Sequence, residues 1–207
     1  MRPWILFCLA FLFAAQYDSK PAPAQAAENT SSTQTPTYTA DGRLLFPANY
    51  REWVYLTSGL DMSYTANPMA MDHSMFDNVF VNPDAYKAFL QTGTWPDKTM
   101  LVLEARTAGS NASINKSGHY QTSDVMGREV HVKDESRFSG KWAFFGFDED
   151  GPAKQVPKEA ACYSCHEQHA AVDTTFVQFY PTLIGLAKQK GTLSANYLKD
   201  EAADAKK

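Results

Sequence analysis

Cysteine is scarce in this chain, with three in 207 residues, and one of them, Cys8, lies in an N-terminal apolar run. A mature form without that run keeps only Cys162 and Cys165, too few for a framework of structural disulfides. There is no second cysteine pair to complete a zinc site of the usual kind. An excess of basic charge is also missing: the formal net charge is −4, and it becomes −5 when residues 1–26 are removed with Arg2, Lys20 and Asp18. That balance argues against a nucleic-acid partner. No internal repeat is present, and the apolar stretch from Pro3 to Ala15 is shorter than the ~20 residues a spanning helix needs.

What the N-terminus does contain is a charged Met1-Arg2, that short apolar run, and small-residue sites at Ala22-Pro23-Ala24 and Ala24-Gln25-Ala26. Residues 1–26 therefore read as a signal peptide, with an uncleaved anchor as the alternative. The polar stretch 27–39 reads as a flexible linker, 40–195 as one domain with a single sizeable core, and 196–207 as a charged, solvated tail of mixed sign.

The densest chemistry is Cys162-Tyr163-Ser164-Cys165-His166. Two thiols three residues apart, followed at once by a histidine, form the attachment signature of a c-type haem. On one helical turn both sulfurs can form thioethers to haem vinyl groups, and the imidazole of His166 then serves as the proximal iron ligand. The competing readings are a thioredoxin-like dithiol and part of a zinc site. His169 follows closely, but Cys165 and His166 are sequence neighbours that fit poorly around one tetrahedral ion. Haem c, one per chain, is the expected cofactor, with Cys162, Cys165 and His166 holding it and His166 on the metal. Covalent haem attachment in bacteria takes place outside the cytoplasmic membrane, so a periplasmic location is expected alongside the signal peptide.

The surrounding pattern decides which kind of haem protein this can be. Between Thr39 and Gly151, short runs rich in Val, Phe, Tyr and Trp alternate with Gly, Pro, Asn and Asp clusters, which predicts an antiparallel sheet. Strands are expected near Trp53–Ser58, Phe76–Val81, Thr99–Arg106, Val125–Lys133 and Lys141–Phe147. Asn82-Pro83-Asp84 should cap a helix through Gln91 that stops at Gly93. Glu159 to His169 should form the short helix bearing the cysteines. Asp173-Thr174-Thr175 should begin another, interrupted at Pro181 and resumed from Leu183 to Lys190. The fold class is thus α+β, mainly β, with a C-terminal helix carrying the haem motif. No methionine follows Met126, which excludes the small cytochromes that draw a methionine ligand from downstream of the motif. Four-helix cytochromes are excluded by the strands upstream.

With these elements in order, the chain resembles the cytochrome P-460 family, which includes hydroxylamine-oxidising cytochromes with a lysine-crosslinked haem and nitric-oxide-binding cytochromes c′-beta. The resemblance runs from Leu44 to Leu183: Pro47-Ala48-Asn49-Tyr50-Arg51-Glu52-Trp53-Val54, Val79-Phe80-Val81-Asn82-Pro83, Thr92-Gly93-Thr94-Trp95-Pro96-Asp97, Val132-Lys133-Asp134, Arg137-Phe138, Trp142-Ala143-Phe144-Phe145, the haem motif and Phe179-Tyr180-Pro181. It implies a homodimer of mainly antiparallel sheet and a high-spin haem with an open sixth position, where small ligands react.

Two family features map onto positions here. The crosslinking lysine of hydroxylamine-oxidising members corresponds to Leu103, directly before Glu104, so the resemblance implies that the crosslink is absent. Lys98 lies an odd number of residues away and would face the other side of a regular strand unless a bulge intervenes. Lys133 is a weak substitute, since crosslinking relatives carry the Val-Lys-Asp stretch as well. The distal glutamate thought to accept a proton from the iron-bound substrate corresponds to Glu129, and burial near an apolar haem face would raise its pKa toward neutrality. The competing reading pairs Glu129 with Arg128, Lys133 or a cross-strand cation.

Other residues could contribute. Phe76 and Phe80 share one strand face and could cap the iron or simply pack the core. Met62, Met69, Met71 and Met75 could supply a sixth ligand, though such clusters usually serve as soft packing. His73, His119, His131 and His169 read as surface imidazoles, and Tyr180 as packing on the proximal side. The expected function is a periplasmic mono-haem cytochrome that binds or redox-converts small nitrogen ligands such as nitric oxide or hydroxylamine, with an unidentified redox partner and enzymatic turnover left open. A one-electron carrier with a closed, six-coordinate iron and a gas sensor without turnover are the alternatives.

Overall fold

The computed structural model describes residues 34–64, 74–148 and 151–206. Residues 1–33, which take in the expected signal peptide and the first part of the expected linker, lie outside the described residues, as do Met69, Met71 and His73. Five strands follow one another: β1 Val54–Leu60, β2 Met75–Val81, β3 Met100–Ser110, β4 His119–Lys133 and β5 Trp142–Phe147. They pair in sequence order, antiparallel throughout, as a meander. Helix α1 (Pro83–Thr92) links β2 to β3, and α2 (Ala161–His169), α3 (Ile184–Lys190) and α4 (Ala195–Asp204) follow the sheet. The fold is α+β and mainly β, as the alternating apolar pattern implies. Among the described residues, no helix is long and apolar enough to cross a membrane.

Period-two alternation gives the sheet two different faces. Met100, Val102, Val130, Val132, Ala143, Phe145 and Phe147 point to one side, where they close on Leu44, Tyr50 and Trp53 from the segment before β1. Leu44, Val102, Val130 and Val132 are 0% exposed there. Each contributes ~1.5–3 kcal/mol relative to an exposed side chain. Leu101 and Trp142, on the same strands, point to the other side and join Phe89, Trp95, Val177, Tyr180 and Leu183 in a second cluster. Two cores therefore sandwich the sheet. The helical core covers one end of its inner face.

Helix α1 begins at Pro83, whose fixed φ and missing N–H suit the first turn. Asn82 does not cap it through its side chain. The amide instead accepts from Met100 N at 2.8 Å, tying the helix start to β3. Gly93 ends α1 with φ +76°, and a Cβ there would meet Lys190 Cβ at 2.8 Å. Only glycine satisfies both the left-handed turn and this close approach to the end of α3.

Four expectations need correction. The described part of the expected flexible linker, residues 34–39, is tied to the domain: Leu45 N donates to Thr37 O at 2.8 Å, and Tyr38 bridges Leu44 and packs on the first core. No helix starts at Asp173: Val172 and Thr175 form an isolated bridge around Asp173 at φ +53°, and only a 3-10 turn, Val177–Phe179, precedes Pro181. Hydrogen bonds from Trp95 Nε1 to Thr175 Oγ1 (2.7 Å) and from Thr175 Oγ1 to Val172 O (2.8 Å) hold that turn. The charged segment after 195 is not a frayed tail. It forms α4, capped by Ser194, which accepts from Tyr197 N, while Tyr197 packs on the helical core. Finally, β3 and β4 run past their expected limits as a long hairpin arm, with bulges between Ala105 and Ala108.

Candidate cofactor pocket

Between the inner sheet face and α2 lies a cavity of about 480 Å³, within the range of sites that hold cofactors. The sheet contributes Asp77 and Val79 from β2, Leu101 and Leu103 from β3, Glu129 and His131 from β4, and Phe144 from β5. These are the alternate residues that point away from the first core. Opposite them stand Cys162, Cys165 and His166 of α2, with Phe176, Phe179 and Tyr180 from the loop beyond. Met62 and Tyr64, after β1, close the rim.

Helix α2 buries none of its nine residues, so little apolar packing of its own holds it in place. Polar ties position it instead. Tyr163 donates from its hydroxyl to Val156 O at 3.0 Å and accepts from Phe144 N at 3.3 Å, which fixes the helix against β5. From the far side Ser194 Oγ donates to Ala170 O (2.6 Å), Asn196 to Glu167 O (3.3 Å), and His169 Nδ1 pairs with Asp200 at 2.7 Å. His169 is thereby engaged by α4 rather than with the two cysteines.

His166 is oriented as a proximal ligand requires. Its Nδ1 lies 2.7 Å from Thr174 O, so the ring donates there and Nε2 remains as the nitrogen with a lone pair. The ring packs against Phe176 at 4.1 Å and Phe144 at 4.7 Å between centroids. Burial lowers its pKa, with the Thr174 carbonyl opposing, so the imidazole is neutral and competent to bind a metal. The Thr174 carbonyl is held by the Val172–Thr175 turn, to which Lys133 adds a contact with Asp173 at 3.4 Å.

His131 does not read as a surface imidazole in the structure. It is 8% exposed, stacked on Phe144 at 4.0 Å and 13°, and edge-on to His166 at 5.3 Å. Burial first, and the neighbouring His166 second, hold its pKa well below the usual value. His119 is exposed, as expected.

Glu129 stands in the cavity, reachable by solvent yet ringed by the walls, and that desolvation raises its carboxyl pKa. It does not pair with the cations named as alternatives. Arg128 lies over the Phe46 ring at 4.4 Å on the other face, and Lys133 donates to Trp95 O at 2.6 Å. Leu103 sits directly opposite Glu129 across the β3–β4 ladder. Lys98, at φ +65° before β3, pairs with Asp134 and lies outside the cavity, and the β3 bulges fall beyond Leu103. Lys133 is also outside the lining. Neither lysine is placed to reach the group this cavity would hold.

Phe76 and Phe80 lie on the wrong face to cap an iron: Phe80 packs on Tyr50 at 5.5 Å and Tyr55 at 5.8 Å. The cavity side of β2 carries Asp77 and Val79 instead. Asp77 is half-buried, and burial, then the charge of Glu129, then Asp61, raise its pKa. The sequence reading passed over Asp77, although the parity that joins Phe76 to Phe80 places Asp77 opposite them. It likewise missed Phe176 and Phe179. Of the four methionines, Met62 lines the cavity and Met75 does not.

Two thiols, a neutral imidazole with one nitrogen engaged, apolar walls and an underpacked helix constitute a donor set that fits a covalently attached haem. The sequence model of the family described as Cytochrome P460 matches residues 47–177. No curated protein matches the chain.

Proposed function

Because the chain belongs to the cytochrome P460 family, whose members carry haem, we propose that it is an exported mono-haem c-type cytochrome with an open iron face toward this cavity. Small nitrogen ligands, nitric oxide or hydroxylamine, bind there or undergo redox conversion. The observation that carries this reading is that Cys162, Cys165 and His166 line one cavity, with His166 Nδ1 committed to Thr174 O. When bound, the haem supplies a redox-active iron able to take a small ligand.

The chain's own residues supply the rest. Cys162 and Cys165 would anchor the haem, and His166 would ligate its iron through Nε2. Phe144, Phe176 and Tyr180 exclude bulk water from the walls. Glu129 holds or accepts a proton beside the ligand space, and its raised pKa suits a base working closer to neutrality. With Leu103 in place of an amine, the macrocycle would carry no lysine crosslink, and hydroxylamine turnover would be slow or absent. A homodimer and a separate redox partner, together with a periplasmic location, complete the proposal.

One observation favours the alternative of a closed, electron-carrying iron: Met62 reaches the cavity rim. Optical and EPR spectra of the purified protein decide between them. A high-spin ferrous spectrum that shifts with carbon monoxide supports the open site; a low-spin spectrum lost in Met62→Ala supports the closed one.

A further inference from the structure

Among the described residues, the inner sheet wall carries negative charge with no cation facing it. Asp77 on β2 and Glu129 on β4 flank β3 on the cavity side, and both line the cavity. No lysine or arginine is among the described residues lining it. Neither carboxylate has a hydrogen bond or ion pair among the described residues. The nearby cations are engaged elsewhere: Arg106 with Glu104 at 2.5 Å, Lys133 with Trp95 O at 2.6 Å, and Lys98 with Asp134. Asp77 pairs with Ala105, and Ala105 with Gly127, where an added Cβ would meet nothing within 4 Å. The strip of sheet beside the two carboxylates is therefore low and open, while Val79, Leu101 and Leu103 around it offer no polar groups.

On the open-site reading above, from which this inference follows, we propose that Asp77 and Glu129 together form a charge filter. It admits neutral or cationic nitrogen ligands such as nitric oxide and hydroxylamine, and it rejects anions such as azide and nitrite. The Coulomb field of a unit charge in a partly enclosed, apolar-walled site is strong enough to alter the affinity of an anion by about tenfold to a hundredfold. A neutral diatomic feels almost none of it. Hydroxylamine gains in addition, because its N–H and O–H groups can donate to the two carboxylates. Asp77 is thus a specificity-determining residue alongside Glu129.

The test titrates the ferric holoprotein with azide and the ferrous form with carbon monoxide, at one pH near 8. Wild type is compared with Asp77→Asn, Glu129→Gln and the double variant, all read by the Soret band. The double variant should bind azide at least about tenfold more tightly than wild type. Its affinity for carbon monoxide should change by less than about threefold. In wild type alone, azide affinity should rise with ionic strength, because salt screens like-charge repulsion. That arm stands even if the amide variants misfold. Azide binding that is unchanged in the double variant, or that falls with salt in wild type, overturns the filter while leaving the open site intact. Failure of carbon monoxide to bind wild type overturns the open-site reading itself and the filter with it.

Discussion

Replacing Glu104 with leucine should destabilise the fold while leaving the cofactor pocket untouched. Glu104 is 2% exposed on β3 and points to the first core, away from its neighbour Leu103 in the cavity. It accepts from Tyr50 Oη, from Arg51 at 2.5 Å and from Arg106 Nε at 2.5 Å. The three partners differ in weight. The Arg51 side chain is 54% exposed, so its pair is worth ~0–1 kcal/mol. The Tyr50 hydroxyl is buried, its pKa pushed up to about 12 by burial and by Glu104, and losing its acceptor costs ~1–3 kcal/mol. Arg106 is 13% exposed but keeps bonds to the carbonyls of Thr122 and Ser123 at 3.0 and 3.1 Å. Because the mutation also breaks the buried pair with Arg106, the loss is ~3–4 kcal/mol, toward the lower end of the cost of breaking a buried charge pair. At ~2–4 °C per kcal/mol for a domain of this size, Tm should fall by about 6–16 °C.

The pH dependence has a definite sign. Burial pushes the Glu104 carboxyl up, but donation from Arg106 and Tyr50 and the charges of Arg106 and Arg51 outweigh it, so the pKa is lowered. Its stabilisation is present above the unfolded value near ~4.3 and is lost as pH falls through the lower folded value. The gap between wild type and Glu104→Leu should accordingly narrow below about pH 4. Thermal denaturation followed by far-UV circular dichroism, with the Soret spectrum recorded in parallel, measures both. A Tm loss under about 3 °C, or a Soret shift in the native variant, refutes the division of labour between the two faces of β3.

Three further predictions concern the pocket and its supports. Leu103→Lys places an amine opposite Glu129, and the expected result is either a crosslink, read as a red-shifted ferrous band, or a loss of several kcal/mol from a desolvated ammonium; a stable variant with an unaltered spectrum would contradict the register. Trp95→Phe removes the donor to Thr175 Oγ1 and should cost ~1–3 kcal/mol, with a shift in the iron–histidine stretching frequency, because the same turn presents Thr174 O to His166. Haem-free protein made by Cys162→Ser with Cys165→Ser should show fast hydrogen exchange in α2, which buries no residue of its own, while β3 and β4 stay protected.

The parts of the fold that one could read in the sequence are those where burial imposes a period. Five strands were legible because one face of each packs on a core, and α1 was legible because Pro83 and Gly93 mark its ends. The outer halves of β3 and β4 carry no such signal: residues 119–126 are almost all exposed, so burial selects neither face and the alternation disappears. The turn at Asp173 was misread as a helix start because its local Val172–Thr175 bonds are supplemented by contacts from Trp95 and Lys133, distant in sequence. α4 was hidden by its mixed charges, although Ser194 and Tyr197 are recognisable afterwards as cap and anchor. Among the residues lining the cavity, the cysteines and His166 were marked in the sequence by a contiguous motif, and Glu129 by family resemblance. Asp77 and His131 were not, because a lone polar residue on a strand shows which face it takes only once the register is fixed.

The central claim is that Cys162 and Cys165 carry a covalent haem whose iron is held by His166. Peptide mass spectrometry after trypsin tests it directly, since the fragment Glu159–Lys188 contains the whole motif and no internal lysine or arginine. The account predicts that this fragment, from denatured and acid-acetone-extracted protein, is heavier by one haem and keeps the absorbance of an iron porphyrin. A fragment with two free or mutually oxidised thiols, and colour lost to the solvent, would contradict it.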